Sequence, residues 1–315
     1  MIESAGAWFA GATTRWDDWD IARLLDSKGA RRISVVLPAR DEEPTIGGIV
    51  EAIRAALIER VPLVDELVVI DSDSTDDTAR IAREAGATVH AARSVRPDLG
   101  THRGKGEALW KSQFVTSGDV LVFIDADLTE WGPHFVTGLL GPLLTDPGVM
   151  LVKGFYDRLL DDGSDQPALE GGRVTELVAR PLLSIYRPEL SDVVQPLAGE
   201  WAIRRDAFAA LPVPVAYGVE MSTLLDVYRE HGPAAIAQVD LGARGHSHQS
   251  VHDLAVMAGE ILAVVLRRAG QPVPDVVELR QFDRSLTPPW RSRPIPLAER
   301  PPATTVEPDP ERESR

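Results

Sequence analysis

The stretch that most constrains this chain is Asp119–Thr129, DVLVFIDADLT. Five apolar residues, Val120 to Ile124, run without a break into Asp125-Ala126-Asp127. A short continuous apolar run bounded by polar residues fits a strand buried on both faces, as in a parallel sheet. In open α/β sheets ligands sit just beyond the carboxyl ends of such strands, so the two carboxylates fall where a site belongs. Hard oxygen ligands there suit Mg²⁺ or Mn²⁺, held by one or two carboxylates together with substrate phosphates. Asp-X-Asp also marks ordinary strand ends and turns, so the rest of the chain has to agree.

It does so in order. Arg32–Pro38 reads as a strand stopped by a proline, followed by Asp41-Glu42-Glu43-Pro44-Thr45 and a helix over Ile46–Glu59. Glu66–Ile70 is a second strand running into the acidic Asp71–Asp77, with a helix Thr78–Ala85 closed by Gly86. Ala87–Ala91 is a short third strand, and His102-Arg103-Gly104-Lys105-Gly106 leads into a helix over Glu107–Ser117. Alternation at this spacing predicts βαβ units, a parallel sheet, and the ends at Pro38, Asp71 and Asp125 along one rim. Further on, strands are expected at Met150–Phe155, Pro196–Arg204 and Ala235–Leu241, and helices at Glu176–Leu183, Gly218–His231 and Val251–Arg268. Asp157–Glu170 reads as an acidic loop. Residues 1–30 read as a leader with one amphipathic helix, about Trp16–Lys28, and 283–315, rich in Pro and Arg, as a largely disordered tail.

Composition removes several classes of function. At 315 residues the chain can hold one large α/β domain or a domain with an appended lobe, and its 44% hydrophobic and 26% charged residues are ordinary for a soluble protein. Without cysteine it has no disulfide, thiolate metal site or thiol nucleophile. A net charge of −15 argues against nucleic acid and requires any anionic substrate to be captured by a few local cations. The most membrane-like stretch, Leu254–Leu266, is too short and holds Glu260. There is no secretory signal pattern, so a cytoplasmic location and no membrane partner are expected.

Those local cations can be named. Lys105 stands between two glycines before a helix, where ammonium and backbone could meet an anion. Gly172-Arg173-Val174-Thr175 resembles the start of a second anion site, with a bidentate guanidinium at a helix beginning. Arg244-x-His246-x-His248 follows a strand at alternating positions, where a neutral imidazole could complete a metal shell. No G-x-G-x-x-G follows any strand, which counts against a dinucleotide dehydrogenase.

Taken together, VVLPARDEE, VVIDSDSTDDT, GKGEALW, FIDAD, GGRVTELVARPLL, QPLAGE, YGVE and the final R-x-H resemble the actinobacterial glucosyl-3-phosphoglycerate synthases, retaining glycosyltransferases of the GT-A fold. The resemblance spans about Ile33–Leu266 in unbroken order. It implies an α/β GT-A-type nucleotide-sugar-binding sheet with helices on both faces (31–155), followed by an acceptor-binding lobe (156–282). It also implies transfer of glucose from an NDP-glucose, UDP-glucose favoured, to 3-phosphoglycerate with retention, in methylglucose lipopolysaccharide biosynthesis. Carried over by position, Pro38, Ala39, Arg40, Glu42, Ser72, Lys105, Asp125 and Ala126 hold the nucleotide sugar. Asp127 and His246 are the metal ligands, with Mg²⁺ or Mn²⁺ as cofactor. Gly172, Arg173, Thr175, Arg244 and His248 bind the acceptor, and Asp127, Glu220, Lys105 and Arg244 make the catalytic set. A homodimer is expected. The sequence departs from the pattern at His248, where Asn is expected, and at Arg40, where a smaller apolar residue is expected. Rival readings are a mannosyl-3-phosphoglycerate synthase or polyprenyl-phosphate sugar transferase of the same fold, or a nucleotide-binding protein without activity. Because both IDSDST and IDADLT fit D-x-D-x-[TV], a haloacid-dehalogenase-type phosphatase is a further rival.

Overall fold

The computed structural model describes residues 2–159, 172–245 and 250–307. In chain order the elements are α1 (Ile2–Ala12), β1 (Thr13–Arg15), α2 (Ile21–Lys28), β2 (Ile33–Ala39), α3 (Ile46–Arg54), β3 (Glu66–Asp71), α4 (Thr78–Glu84), β4 (Thr88–Ala91), α5 (Lys105–Ser112), β5 (Val120–Phe123) and α6 (His134–Thr145). The second half contributes β6 (Leu151–Leu159), α7 (Arg180–Tyr186), β7 (Trp201–Arg204), α8 (Arg205–Ala209), β8 (Val213–Pro214), α9 (Val219–His231), β9 (Ile236–Gly245), α10 (Val251–Arg268), β10 (Glu278–Phe282), β11 (Trp290–Pro294) and β12 (Glu299–Arg300).

Among the described residues eight strands form the main sheet, in the order β1-β9-β6-β7-β5-β2-β3-β4. Neighbours are parallel except that β7 runs against both β5 and β6. The carboxyl ends of β2, β3, β5, β6 and β9 therefore share one rim, and β7 starts there. Both faces are covered, which is why these strands read as apolar runs. On one face Val35, Leu37, Val122 and Ile124 pack with Ile49, Phe135 and Leu139 from α3 and α6. On the other, Val36, Leu121 and Phe123 pack with Trp110, Trp201, Phe208 and Leu224. Residues from both halves of the chain share this one sheet.

Both ends of the chain depart from the sequence reading. The expected helix over 16–28 starts only at Ile21, and Thr13–Arg15 ahead of it forms the edge strand β1 on β9. The supposed disordered tail is folded over its described part. Strand β11 pairs with β10, and β12 pairs with β8 through Glu299↔Pro214 and Arg300↔Val213. Arg300 is buried, and the indole Nε1 of Trp110 donates to Pro301 O at 2.8 Å. Strand pairing and buried polar anchors hold this segment in place of an apolar period, which composition alone does not reveal.

Candidate active site

The turn after β5 builds the centre of the rim. Ile124 N donates to Val36 O at 3.2 Å, and Thr45 Oγ1 donates to Ala126 O at 2.6 Å, fixing the backbone between the two aspartates. Asp125 turns towards the α5 side. Its Oδ1 accepts from Lys105 Nζ at 2.5 Å, and the same ammonium lies 2.7 Å from Glu220 Oε1 at the start of α9. Burial works against the charge on Asp125, yet Lys105 and Arg244 prevail and hold its carboxyl at about 2. Burial likewise opposes the Lys105 ammonium, and Asp125 and Glu220 nonetheless raise it well above the ordinary lysine value. Gly199 explains how close the elements come. A Cβ there would stand 2.0 Å from Asp125 Oδ2, so the chain before β7 can pass only as glycine.

Arg244, near the end of β9, closes the other side. Its Nη2 reaches Asp127 Oδ1 at 3.0 Å and Asp125 Oδ2 at 3.4 Å. Its Nη1 donates to the Tyr156 hydroxyl at 2.5 Å and lies 3.3 Å from Glu200 Oε2. Glu200 is fully buried and pushed up by that burial against the pull of Arg244, and its Oε1 has no hydrogen-bond partner among the described residues. Lys153 on β6 is also buried, brought down to about 8 by desolvation, and donates to Ala198 O at 2.7 Å. Tyr156, Lys153 and the carboxylate of Glu200 were not singled out from sequence. The available signal was a charge inside an apolar strand run, LVKGFY, and an acid one step before another apolar strand.

Loops after β2 and β3 form the neighbouring part of the rim and interlock. Asp41, at φ 54°, accepts from Thr75 N at 2.7 Å, and its own N–H donates to Ser74 Oγ at 3.0 Å. Glu42 N donates to Thr78 Oγ1 at 2.8 Å, and Ser72 N to Ala39 O at 2.9 Å. Much of the acidic Asp71–Asp77 run is thus loop scaffold, with Asp73 paired to Arg93 and Asp76 capping Thr78 N at 3.0 Å. IDADLT, by contrast, meets Lys105 and Arg244, so the duplicated pattern does not describe two equivalent sites. Burial pushes Glu42 up to about 7, reinforced by the negative charges of Asp127 and Asp125, which places it beside that pair. Pro38, Ala39 and Ala126 line the strand ends with little exposed surface, while Arg40 turns towards Asp41, 3.6 Å away.

One expectation needs correction. From sequence, the glycines around Lys105 are expected to let backbone N–H groups reach an anion. Gly106 N donates instead to Ala216 O at 3.2 Å, and Glu107 N to Val215 O at 2.8 Å. A Cβ on Gly106 would sit 1.8 Å from Pro214 O, and Gly104, at φ 147°, would place one 2.4 Å from Val215 O. These glycines admit the backbone of 214–216. The cation of Lys105 remains available to the rim; the helix start does not.

Gly172, Arg173 and Thr175 stand at the start of a separate helical segment, Arg173 exposed and Thr175 buried. His246 and His248 lie outside the described residues. Among the described residues no group of three His, Asp or Glu side chains could enclose a metal ion. Among the described residues Asp127 bonds only through Oδ1, to Arg244, and its Oδ2 is a hard oxygen donor at the strand end, of the kind Mg²⁺ and Mn²⁺ take. No helix of the described residues is long and apolar enough to cross a membrane.

Comparison with known proteins agrees with this arrangement. The family model of glycosyl transferase family 2 matches residues 34–211. The glucosyl-3-phosphoglycerate synthase of Mycolicibacterium smegmatis is 45% identical over 305 residues, 96% of this chain and 98% of the relative. A crystal structure of the Mycobacterium tuberculosis glucosyl-3-phosphoglycerate synthase with Mn²⁺, UDP-glucose and phosphoglyceric acid superposes with a TM-score of 0.84 at 44% identity, covering 93% of this chain and 98% of that one. The same enzyme with Mn²⁺, UDP and glucosyl-3-phosphoglycerate gives a TM-score of 0.81 at 44% identity, covering 91% and 95%. The phosphatase reading is set aside by these matches. The chain belongs to glycosyl transferase family 2, among relatives named glucosyl-3-phosphoglycerate synthase.

Proposed function

We propose that this protein transfers glucose from UDP-glucose to 3-phosphoglycerate, giving glucosyl-3-phosphoglycerate and UDP. The observation that carries the reading is the convergence of Lys105, Asp125, Asp127, Glu220 and Arg244 on one sheet rim. It occurs in a chain 45% identical, over nearly its whole length, to a glucosyl-3-phosphoglycerate synthase. The donor lies along the β2 and β3 ends, where Pro38, Ala39, Arg40, Glu42 and Ser72 bracket uridine and Asp125 and Ala126 face the diphosphate. Asp127 and His246 hold Mg²⁺ or Mn²⁺, in keeping with the oxygen donor left open on Asp127. When bound, the metal supplies a Lewis acid that offsets charge on the departing diphosphate.

The remaining work falls to side chains. Lys105, kept cationic by its two carboxylates, adds fixed positive charge where the diphosphate develops negative charge. Arg244, planted by Tyr156 and Glu200, presents its guanidinium between the carboxylate pair and the acceptor, and His248 adds an acceptor contact. Glu220, almost fully buried next to Lys105, faces the sugar. Gly172, Arg173 and Thr175 take the carboxylate and phosphate of 3-phosphoglycerate. Asp125 and Glu220 are engaged by Lys105, and Asp127 by Arg244, so none is offered as a covalent nucleophile. Attack by the acceptor hydroxyl from the face that the diphosphate leaves accounts for retention, with the departing phosphate oxygen taking the proton. The protein acts in the cytoplasm as a homodimer. The test is release of UDP from purified protein with each of UDP-glucose, 3-phosphoglycerate and metal omitted in turn. UDP should form only in the complete mixture; equal release without 3-phosphoglycerate would contradict the acceptor assignment.

A further inference from the structure

The segment that follows β11 lies across the helix carrying Lys105. Strand β12 pairs with β8, and Val215 N just beyond β8 donates to Ala298 O at 3.1 Å. The next carbonyls, Val215 O and Ala216 O, receive the N–H groups of Glu107 and Gly106. Helix α5 has no capping side chain of its own, so the strap-backed 213–216 segment supplies its cap. Arg300 adds a second hold. Its guanidinium donates to both oxygens of buried Glu107, at 2.7 and 2.6 Å, and to Leu99 O and Gly100 O at 2.8 and 3.1 Å. It stacks on Trp110, 4.9 Å from the ring centre, and the Trp110 indole in turn binds Pro301 O. Lys111 grips the same loop through Ala92 O, Gly100 O and Thr101 Oγ1. Glu107 Oε1 also accepts from His102 N at 3.2 Å.

The hydrogen bonds of Arg300 and of the Val215 and Ala216 carbonyls converge on residues 99–107, and Lys105 is the group there that reaches Asp125 and Glu220. A buried ion pair is weak evidence for stability in itself, and its best-attested use is to fix one arrangement. We infer that the C-terminal strap, through Arg300, is a positioning element for Lys105. It holds the loop and the first turn of α5 so that the ammonium meets both carboxylates at the rim. The inference rests on the proposed role of Lys105 at the donor diphosphate. Arg300 touches no reacting group.

A double-mutant cycle on kcat/KM for UDP-glucose tests it. Arg300→Lys keeps a positive charge beside Glu107, but one ammonium cannot hold two carboxylate oxygens and two carbonyls. Small displacements of a working group are costly, so kcat/KM should fall by about 10- to 100-fold. In a Lys105→Ala background the same substitution should cost less than about two-fold, because the group it positions is gone. Equal factors in both backgrounds, or no loss in the Arg300→Lys protein, would overturn the inference. A fully active Lys105→Ala protein would instead overturn the role of Lys105 itself. If Arg300→Lys fails to fold, the cycle is run with Arg300→Met and Glu107→Met combined, which removes both charges together; the same two outcomes decide.

Discussion

Gly199→Ala is the perturbation that the geometry defines most sharply. Its Cβ would fall 2.0, 2.5 and 2.6 Å from Oδ2, Cγ and Oδ1 of Asp125. Ordinary contact needs more than 3 Å, so one side must move by about 1 Å. The backbone before β7 is held where Gly154 N donates to Glu200 O at 2.9 Å, and Asp125 is the freer partner. Moving its carboxylate breaks the contact with Lys105, with Arg244, or with both. Loss of one charge-assisted hydrogen bond costs about 1.5–3 kcal/mol, equivalent to roughly 10- to 150-fold in kcat/KM. Overpacking should lower stability by about 1–3 kcal/mol. UDP release with UDP-glucose and 3-phosphoglycerate gives the first quantity and urea unfolding the second. Wild-type kcat/KM with an unchanged unfolding midpoint would refute the reasoning, since Asp125 would then tolerate displacement.

Asp127→Ala should remove transfer without unfolding the protein, because a partly exposed strand-end carboxylate is lost and no core cavity opens; His246→Ala should weaken UDP binding only when metal is present, as read by calorimetry. Arg173→Ala should raise KM for 3-phosphoglycerate by about 30- to 1000-fold, from a lost charged contact of about 2–4 kcal/mol, and leave UDP binding unchanged. Arg173→Lys should recover little, an ammonium being a point charge. Glu260 is buried, accepts from Tyr217 N at 2.7 Å, and is pushed by burial up to about 7 from an ordinary 4.5. Its folded value is raised, so its contribution is complete below about 4.5 and is lost as pH rises through about 7. Glu260→Gln should therefore gain stability relative to wild type between pH 5 and pH 8; a constant gap across that range would contradict the assignment.

The sequence reading succeeded where burial is two-sided and local. Strands β2, β3 and β5 are unbroken apolar runs because helices cover both faces, and their acidic ends then mark the rim. Lys105, Asp125, Asp127, Glu220 and Arg244 all meet there. What escaped is held by single long-range contacts. Arg244 finds Glu200 and Tyr156 across 44 and 88 positions of the chain, and no local pattern records such a meeting. Arg300, 193 positions from Glu107, adds its guanidinium to the β12–β8 pairing that holds the C-terminal segment, in a stretch whose composition reads as unstructured. The glycines flanking Lys105 were legible as close approach, but the approaching group is the backbone of 214–216, which only the tertiary structure reveals. Asp73 and Asp76 show the reverse: acidic residues that look like ligands and serve to lock one loop against another.

The most direct measurement is mass spectrometry of the product formed from UDP-glucose and 3-phosphoglycerate with Mg²⁺ or Mn²⁺, followed by the anomeric proton signal in NMR. The account predicts a hexosyl-phosphoglycerate carrying an α-linked glucose, absent when metal is chelated. Free glucose, a β-linkage, or no hexosyl-phosphoglycerate from a folded protein would contradict it.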